Sequence, residues 1–318
     1  LCTSMVLRGR GRIVPASSTS ARNLTDPGRG RGRLSRPPAS PGRTSTLYCV
    51  GRPKSASSES SSPAAACRES KAALHLCRDQ LTARRGPSSE MESDPAGYLN
   101  SLRQLVEANR DLVSAVGETG LDYDREHFAP REVQMRHFRS QVSLACQLRL
   151  PLFLHCRASH AEFRAVLSEF ASQLPSPPGV VHTFDGSAED AAELLAMGFY
   201  LGLNGLKTAD NLRVVSGLPL DRLLLETDAP WCEVKPSHAG HSHVTPSSRF
   251  ESRKAERWSP GCMVKGRNEP ACILQVLQVV AATLGQPAEK VASAAFANTC
   301  RLFGLAEAAA PSTVEGDN

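Results

Sequence analysis

Hydrophobic positions along the chain alternate between short continuous runs and longer stretches of helical spacing. Five short apolar runs predict strands, at residues 112–117, 151–154, 180–181, 199–203 and 222–225. Between these runs apolar residues recur every three or four positions, which predicts helices at residues 132–148, 161–173, 188–197 and 209–217. Strands that alternate with helices favour a parallel sheet with crossover helices, and near-continuous apolar strands are typical of a sheet buried on both faces.

Further helical patterns flank this alternation. Helices are predicted at residues 70–78 and 96–109, ahead of the first strand, and at 272–284 and 287–305, after a long polar loop at 232–266. A chain of 318 residues is long enough for one (β/α)8 barrel or for two smaller domains. We therefore predict an α/β fold of the (β/α)8 TIM-barrel type over residues 67–305, followed by a disordered tail at 306–318.

The first 66 residues differ in character from the rest of the chain. They are rich in Arg, Ser, Pro and Gly, and their only acidic residues are Asp26 and Glu59. Such a segment buries too little apolar surface to offset its ordering entropy, so we predict a low-complexity, basic, disordered leader. The chain begins with Leu1 instead of Met, and a fragment or an artefactual leader is the expectation for this segment. A mitochondrial transit peptide has a similar composition but needs an amphipathic helix, for which we find no clear pattern.

Composition and charge narrow the class of protein only slightly. The formal charge of +5 indicates a nucleic-acid partner weakly, because much of the Arg lies in the leader. The 10 cysteines form no CxxC pair, which favours buried thiols in a reducing compartment over a disulfide framework. No apolar run approaches the roughly 20 residues that a membrane span needs, so we expect no membrane association.

A ligand-type side chain follows four of the predicted strands. These side chains are Glu118, His155, His182 and Asp228. Residues just beyond the carboxyl ends of barrel strands converge on one face, so we expect the four to share a site. Imidazole and carboxylate together suit Zn²⁺, Mn²⁺ or Mg²⁺. The sequence therefore predicts a site for one or two divalent cations.

Two of these residues are our candidates for catalysis. A bound cation lowers the pKa of its water and stabilises charge on a phosphoryl oxygen. Glu118 would bridge two cations if both are bound, and Asp228 would ligate a cation and take a proton from the attacking water. Taken singly, a histidine at a strand end is more often structural, and a carboxylate there is often a helix cap. Four such residues at four strand ends favour the metal site.

Five motifs carry a resemblance to a known family. They lie at residues 116–123 (VGETGLDY), 154–157 (LHCR) with Ser159 and His160, 181–186 (VHTFDG), 226–231 (ETDAPW) and 267–270 (RNEP). Together they make the chain resemble the TatD-type metal-dependent deoxyribonucleases over about residues 94–305. The resemblance implies a β/α barrel, divalent metals, and hydrolysis of DNA phosphodiester bonds by a metal-activated water. It also implies that Glu118, His155, His182 and Asp228 are the metal ligands, with Mg²⁺ as the first expectation and Mn²⁺ or Zn²⁺ as alternatives.

Three more residues are candidates for binding the substrate. Arg157 and Asn268 fall at motif positions of the family, and His160 follows His155 at the start of a helix. The planar guanidinium of Arg157 suits two phosphate oxygens, although a salt bridge at the rim is an equal alternative. His160 is a candidate phosphate contact or a residue that supports the metal ligands, and Asn268 has positioning of the last loop as its alternative.

The first three strands of such a barrel are poorly matched. Residues 23–27 resemble the family's first-strand motif but lack a strand pattern around them, and residues 48–53 have Arg52 where the family carries a histidine. We therefore expect an incomplete barrel with exposed strand edges.

Three functions remain open from the sequence. The first is a deoxyribonuclease whose partner is DNA. The second is another metal-dependent ester hydrolase on the same barrel, such as an aminoacyl-tRNA deacylase, and the third is an inactive variant that binds DNA. We expect a monomer in the nucleus or cytoplasm, with mitochondrial targeting as the less favoured location.

Overall fold

The computed structural model describes residues 93–110 and 113–305. Within them one sheet contains five parallel strands in sequence order: β1 (Val116–Asp122), β2 (Leu152–Arg157), β3 (Gly179–His182), β4 (Tyr200–Leu203) and β5 (Leu223–Leu225). The predicted leader at 1–66, the helix at 70–78 and the tail at 306–318 lie outside the described residues and stay predictions. So does the placement of the domain boundaries.

Seven α-helices surround the sheet in the described ranges. They are α1 (Pro95–Ala108), α2 (Arg131–Leu148), α3 (His160–Glu169), α4 (Ala188–Ala196), α5 (Ala209–Ser216), α6 (Ile273–Leu284) and α7 (Ala288–Phe303). Each coincides with a predicted helix, and most bounds differ by only one or two residues. Helices α4 and α5 begin at capping boxes, in which Ser187 and Thr208 each accept a hydrogen bond from the backbone N–H three residues later.

Strand and helix alternate through β5, as the sequence predicts for a parallel α/β fold of the barrel type. Within the described ranges β1 and β5 each pair with one strand only, so this sheet is open and is not a closed barrel. All seven residues of β1 are nevertheless buried. The Gln134 side chain of α2 accepts a hydrogen bond from the Asp122 N–H at 2.8 Å and donates one to the Asp122 carbonyl at 3.1 Å. These two hydrogen bonds connect α2 to the end of β1.

The two faces of the sheet bury different sets of side chains. On the outer face, Leu152, Leu154 and Cys156 of β2 belong to the main core that the surrounding helices form. On the inner face lies a second apolar cluster that includes two residues of α7: Phe153, Val180, Tyr200, Leu224, Leu302 and Phe303. Side chains two residues apart on a strand point to the same face. His155 and His182 therefore lie on the inner face, each two residues after a member of the apolar cluster, Phe153 or Val180.

Strand register aligns the inner-face residues of the first three strands. Gly120 of β1 pairs with His155 of β2, and His155 pairs with His182 of β3. Between Gly117 and Thr119 the register shifts, so that Glu118 is an extra residue in β1 and forms a bulge. Bulges redirect side chains, and this one turns Glu118 toward the two histidines.

Gly120 permits the close approach of β1 to β2. Its φ is +148°, and a Cβ at this position would lie 1.8 Å from the carbonyl oxygen of His155. Any larger residue would therefore push β1 away from β2 and separate Glu118 from the histidines.

The predicted polar loop at 232–266 contains some regular structure. Two short strands, β6 (Ser252–Arg253) and β7 (Met263–Val264), form a separate parallel pair, and 3-10 turns fill much of the remainder. In the described part of the chain no single helix meets the length and hydropathy of a membrane span, although the bent pair Pro270–Leu284 and Ala288–Phe303 meets them jointly.

Candidate metal centre

Glu118, His155 and His182 bring three ligand atoms together on the inner face of the sheet. Glu118 Oε1 lies 3.0 Å from His182 Nε2 and 3.2 Å from His155 Nδ1. The two ring nitrogens are 3.2 Å apart. All three residues are at least 96% buried. Three of the four predicted metal ligands therefore form one compact group, which we name the triad.

The dimensions of the triad fit a divalent cation. Ligand atoms about 2.1 Å from one cation, at angles of roughly 90 to 109°, lie about 3.0 to 3.4 Å from one another. The three observed separations of 3.0, 3.2 and 3.2 Å fall in this range. Two imidazole nitrogens and one carboxylate oxygen are also a donor set that binds metals. The residues present therefore fit a metal ion.

A second carboxylate lies behind each histidine of the triad. His155 Nε2 is 3.3 Å from Asp122 Oδ2, and His182 Nδ1 is 3.5 Å from Glu226 Oε1. Glu226 is held in turn by Thr183, whose hydroxyl donates to Glu226 Oε1 at 2.6 Å. Metal-ligating histidines commonly direct their other ring nitrogen at a carboxylate, which fixes the tautomer and the ring orientation. Both imidazoles of the triad have this arrangement.

Room for Glu226 comes from Gly202 on the adjacent strand β4. A Cβ at position 202 would lie 3.0 Å from Glu226 Oε2 and 3.1 Å from the Cα of His182. A side chain there would displace the carboxylate from its position behind His182.

The electrostatic potential around His182 is strongly negative. Burial lowers the pKa of this imidazole, but the carboxylates of Glu118 and Glu226 outweigh burial and raise its pKa to about 10. Burial raises the pKa of Glu226, whereas His182 and the Thr183 donors lower it to below its ordinary value. The same negative potential that holds a proton on His182 attracts a metal cation.

The affinity for a divalent cation is expected to rise with pH. Because His182 carries a proton below about pH 10, a cation must displace that proton. Displacing one proton makes the apparent affinity rise about tenfold per pH unit between about pH 6.5 and 8.5. Calorimetric titration with Mn²⁺ measures both the affinity and, from buffers of different ionisation enthalpy, the proton released. An affinity that stays constant over this range would contradict the proton competition.

Asp228 lies outside the triad's three-atom group. It follows β5 in a left-handed backbone conformation with φ of +48°, and only 8% of it is exposed. The thiol of Cys232 donates to Asp228 Oδ2 at 3.3 Å. Burial and the Asp228 carboxylate raise the pKa of Cys232 to about 12, so this thiol keeps its proton and acts as a donor. The assignment of Asp228 as a metal ligand stays a prediction.

Of the three predicted substrate-binding residues, Arg157 lies beside the triad. Arg157 is the last residue of β2. Its guanidinium Nη1 is 3.8 Å from Oδ2 of Asp122, the last residue of the neighbouring strand β1. Arg125 also approaches Asp122 Oδ2, with its Nε at 3.2 Å. The salt-bridge alternative for Arg157 is therefore observed, and Asp122 is its partner.

His160 and Asn268 have other surroundings. His160 Nε2 lies 3.9 Å from Asp185 Oδ1, and burial lowers the pKa of this imidazole, which favours the neutral form. Asn268 is 3% exposed. Its Nδ2 donates to the Thr227 carbonyl at 2.8 Å, and its Oδ1 accepts from the Glu269 N–H at 3.0 Å. Asn268 thus braces the segment that carries Asp228, and direct contact of either residue with substrate stays a prediction.

Asp122, Arg125 and Glu226 were not predicted from the sequence as site residues. Asp122 and Glu226 each lie within a family motif, at residues 116–123 and 226–231, but nothing in the spacing showed that they stand behind the histidines. An available signal for Asp122 was its even separation from Gly120, which places both on one face of a strand.

Comparison with known proteins supplies the family context. The model of the family described as TatD related DNase matches residues 69–304. The chain is similar to a deoxyribonuclease Tat-D from Schizosaccharomyces pombe, with 41% identity over 74% of this chain and 75% of that protein. It is also similar to a 3'-5' ssDNA/RNA exonuclease TatD from Pantoea, with 35% identity over 65% of this chain and 71% of that protein.

A solved structure is similar as well. The crystal structure of a TatD family hydrolase from Entamoeba histolytica has a TM-score of 0.61 and 30% identity to this chain. The match covers 69% of this chain and 72% of that one. Sequence and fold therefore point to one family.

Proposed function

The chain belongs to the TatD-related DNase family, and we propose that it is a metal-dependent deoxyribonuclease whose centre is the triad of Glu118, His155 and His182. The observation that carries the proposal is the triad itself, with three buried ligand atoms at separations of 3.0 to 3.2 Å. The position of His182 also supports the proposal, because it is the last residue of β3 and active sites of β/α barrels lie at the carboxyl ends of the strands.

A divalent cation bound there would activate water and stabilise charge that develops on the phosphate. The residues of the chain have separate tasks in this account. Asp122 and Glu226 face the outer nitrogens of the two imidazoles and favour one orientation of each ring, and Thr183 Oγ1 also contacts His182 Nδ1 at 3.2 Å. Asp228, oriented by the Cys232 thiol, is the proposed fourth ligand and the acceptor of the proton from the attacking water.

The donor set bears on the identity of the metal. Mg²⁺ prefers oxygen ligands in near-ideal octahedral geometry, whereas imidazole suits Mn²⁺ and Zn²⁺. Because two of the three triad atoms are imidazole nitrogens, we expect Mn²⁺ to support cleavage at a lower concentration than Mg²⁺. Mg²⁺ remains the expected metal where it is present in large excess.

Exposed aromatic rings in the loops that follow β1 and β5 favour single-stranded substrate. Trp231, whose backbone N–H donates to the Asp228 carbonyl at 2.8 Å, is 39% exposed. Phe128, in the loop between β1 and α2, is 46% exposed. Unpaired bases stack on such rings, and each stack contributes about 1–3 kcal/mol to binding. A duplex does not offer its base faces in this way.

The function is tested by offering three substrates to the purified chain. We expect cleavage of 5'-labelled single-stranded DNA in Mn²⁺ or Mg²⁺, slower cleavage of the corresponding duplex, and none in EDTA. Aminoacyl-tRNA is the third substrate. Release of the amino acid without cleavage of DNA would favour the deacylase instead, and binding of DNA without any hydrolysis would favour the inactive variant.

A further inference from the structure

We propose that Arg125 and Arg157, which both approach the carboxylate of Asp122, form a second phosphate-binding subsite beside the metal centre. We name these three residues the arginine clamp. Its ligand is a phosphodiester group of the substrate strand other than the one being cleaved. The inference rests on the proposed nuclease function and deepens it, because it says how a strand is held along the site.

A single buried oxygen atom organises the clamp. Asp122 Oδ2 lies 3.2 Å from Arg125 Nε, 3.8 Å from Arg157 NH1 and 3.3 Å from His155 Nε2. Strand pairing sets part of this arrangement, since Asp122 and Arg157 are register partners at the ends of β1 and β2. Arg125 follows on the 3-10 turn Tyr123–Arg125, directly after β1. Both guanidinium groups thus lie at the carboxyl ends of the strands.

Asp122 is buried, whereas the two arginines are partly exposed and can contact a ligand. The Asp122 side chain is 2% exposed, whereas those of Arg125 and Arg157 are 19% and 29% exposed. A substrate can reach the two guanidinium groups but not the carboxylate beneath them. The clamp therefore presents donors to solvent.

Two guanidinium groups approach the one carboxylate of Asp122. Both are permanently positive. A cluster of positive groups attracts an anion such as a phosphate.

The chemistry of the groups selects a phosphate. Each guanidinium has five N–H donors in a planar fork, which matches two oxygens of a phosphate. The Asp122 carboxylate also attracts both guanidinium groups to this place before the ligand arrives. Such preorganisation reduces the entropy lost on binding.

The clamp and the triad lie on opposite sides of one imidazole ring. His155 Nδ1 faces Glu118 and His182, whereas His155 Nε2 faces Asp122. A phosphate that contacts the cation at the triad is therefore separated from the clamp by the width of this ring. We therefore assign the clamp to a neighbouring phosphate of the strand.

The test compares the parent chain with Arg125→Gln and Arg125→Lys. Binding of a fluorescein-labelled oligothymidylate is measured by anisotropy in EDTA, between about 50 and 200 mM salt. We expect Arg125→Gln to weaken binding about tenfold and to reduce the slope of log affinity against log salt by about 0.7, the value for one phosphate contact on a single strand. Arg125→Lys keeps the charge and should restore the slope.

Cleavage assays distinguish the clamp from a purely structural ion pair. A dinucleoside monophosphate has only the scissile phosphate, so Arg125→Gln should lose much less activity on it than on the oligonucleotide. The oligonucleotide should show a raised KM with little change in kcat. Arg139→Gln is the matched control, because Arg139 pairs with Glu169 on the outer surface at 2.9 Å. It should behave as the parent in every assay.

The outcomes separate this inference from the proposed function. If the parent cleaves DNA while Arg125→Gln keeps the parent's affinity and salt slope, the clamp is wrong and the nuclease stands. Equal losses on the dinucleotide and the oligonucleotide would also overturn the clamp, because the residue would then support the triad. A folded parent that neither binds nor cleaves DNA would overturn both. Should Arg125→Gln fail to fold, Arg157→Gln provides the same test from β2.

Discussion

Replacing Glu118 with glutamine is expected to lower metal-dependent cleavage of single-stranded DNA by about 10³-fold or more. The substitution keeps the shape of the side chain and removes the negative charge that faces both histidines of the triad. A catalytic metal contributes several kcal/mol to stabilising the transition state, and about 4 kcal/mol corresponds to 10³-fold in rate. Calorimetric titration should show Mn²⁺ affinity falling together with the rate.

Glu169→Gln is the matched control for this substitution. Glu169 is an exposed carboxylate at the end of α3, and its pair with Arg139 is the kind of surface ion pair that contributes about 0–1 kcal/mol. We expect its cleavage rate and metal affinity to equal those of the parent. If Glu118→Gln retained full cleavage and full Mn²⁺ affinity, the triad would not be the metal centre.

Asp228→Asn is expected to lower kcat by about 10² to 10⁴-fold, the usual contribution of a positioned acid or base. The amide has the same size and can still accept the hydrogen bond from Cys232, so the loop after β5 should keep its conformation. It cannot take a proton from water at neutral pH. DNA affinity, measured by anisotropy in EDTA, should therefore change little.

Asp210→Asn provides the comparison for Asp228. Asp210 lies in the first turn of α5, is 74% exposed at its side chain and pairs with Arg213. Its replacement should leave kcat unchanged. A kcat for Asp228→Asn within threefold of the parent's would remove Asp228 from the chemistry and leave it as a buried residue of the loop.

The alternation of strands and helices could be predicted because the two kinds of element space their buried apolar residues differently. The strands appear as continuous apolar runs, and the helices have apolar residues every three or four positions. Runs such as 222–225 and 199–203 differ from the observed strands by a single residue. The first strand was placed wrongly. The prediction ended it at residue 117, whereas β1 extends from Val116 to Asp122. Glu118 and Asp122 of this strand are polar because they line the site, and a rule based on apolar runs stops at the first of them.

The same polarity explains what could be predicted of the site. Glu118, His155 and His182 were placed together by the general convergence of strand ends, and the structure confirms that their ligand atoms meet. The bulge that turns Glu118 inward depends on strand register, which no local pattern reveals. The positions of Asp122 and Glu226 behind the histidines depend on the same register, and so does the sharing of Asp122 by two arginines.

The most direct test of the account is the anomalous diffraction of crystals soaked in Mn²⁺. The account predicts an anomalous peak about 2.0 to 2.3 Å from Glu118 Oε1, His155 Nδ1 and His182 Nε2 in the parent, and no peak there in Glu118→Gln. A Mn²⁺ ion bound only elsewhere, in a preparation that cleaves DNA, would contradict it.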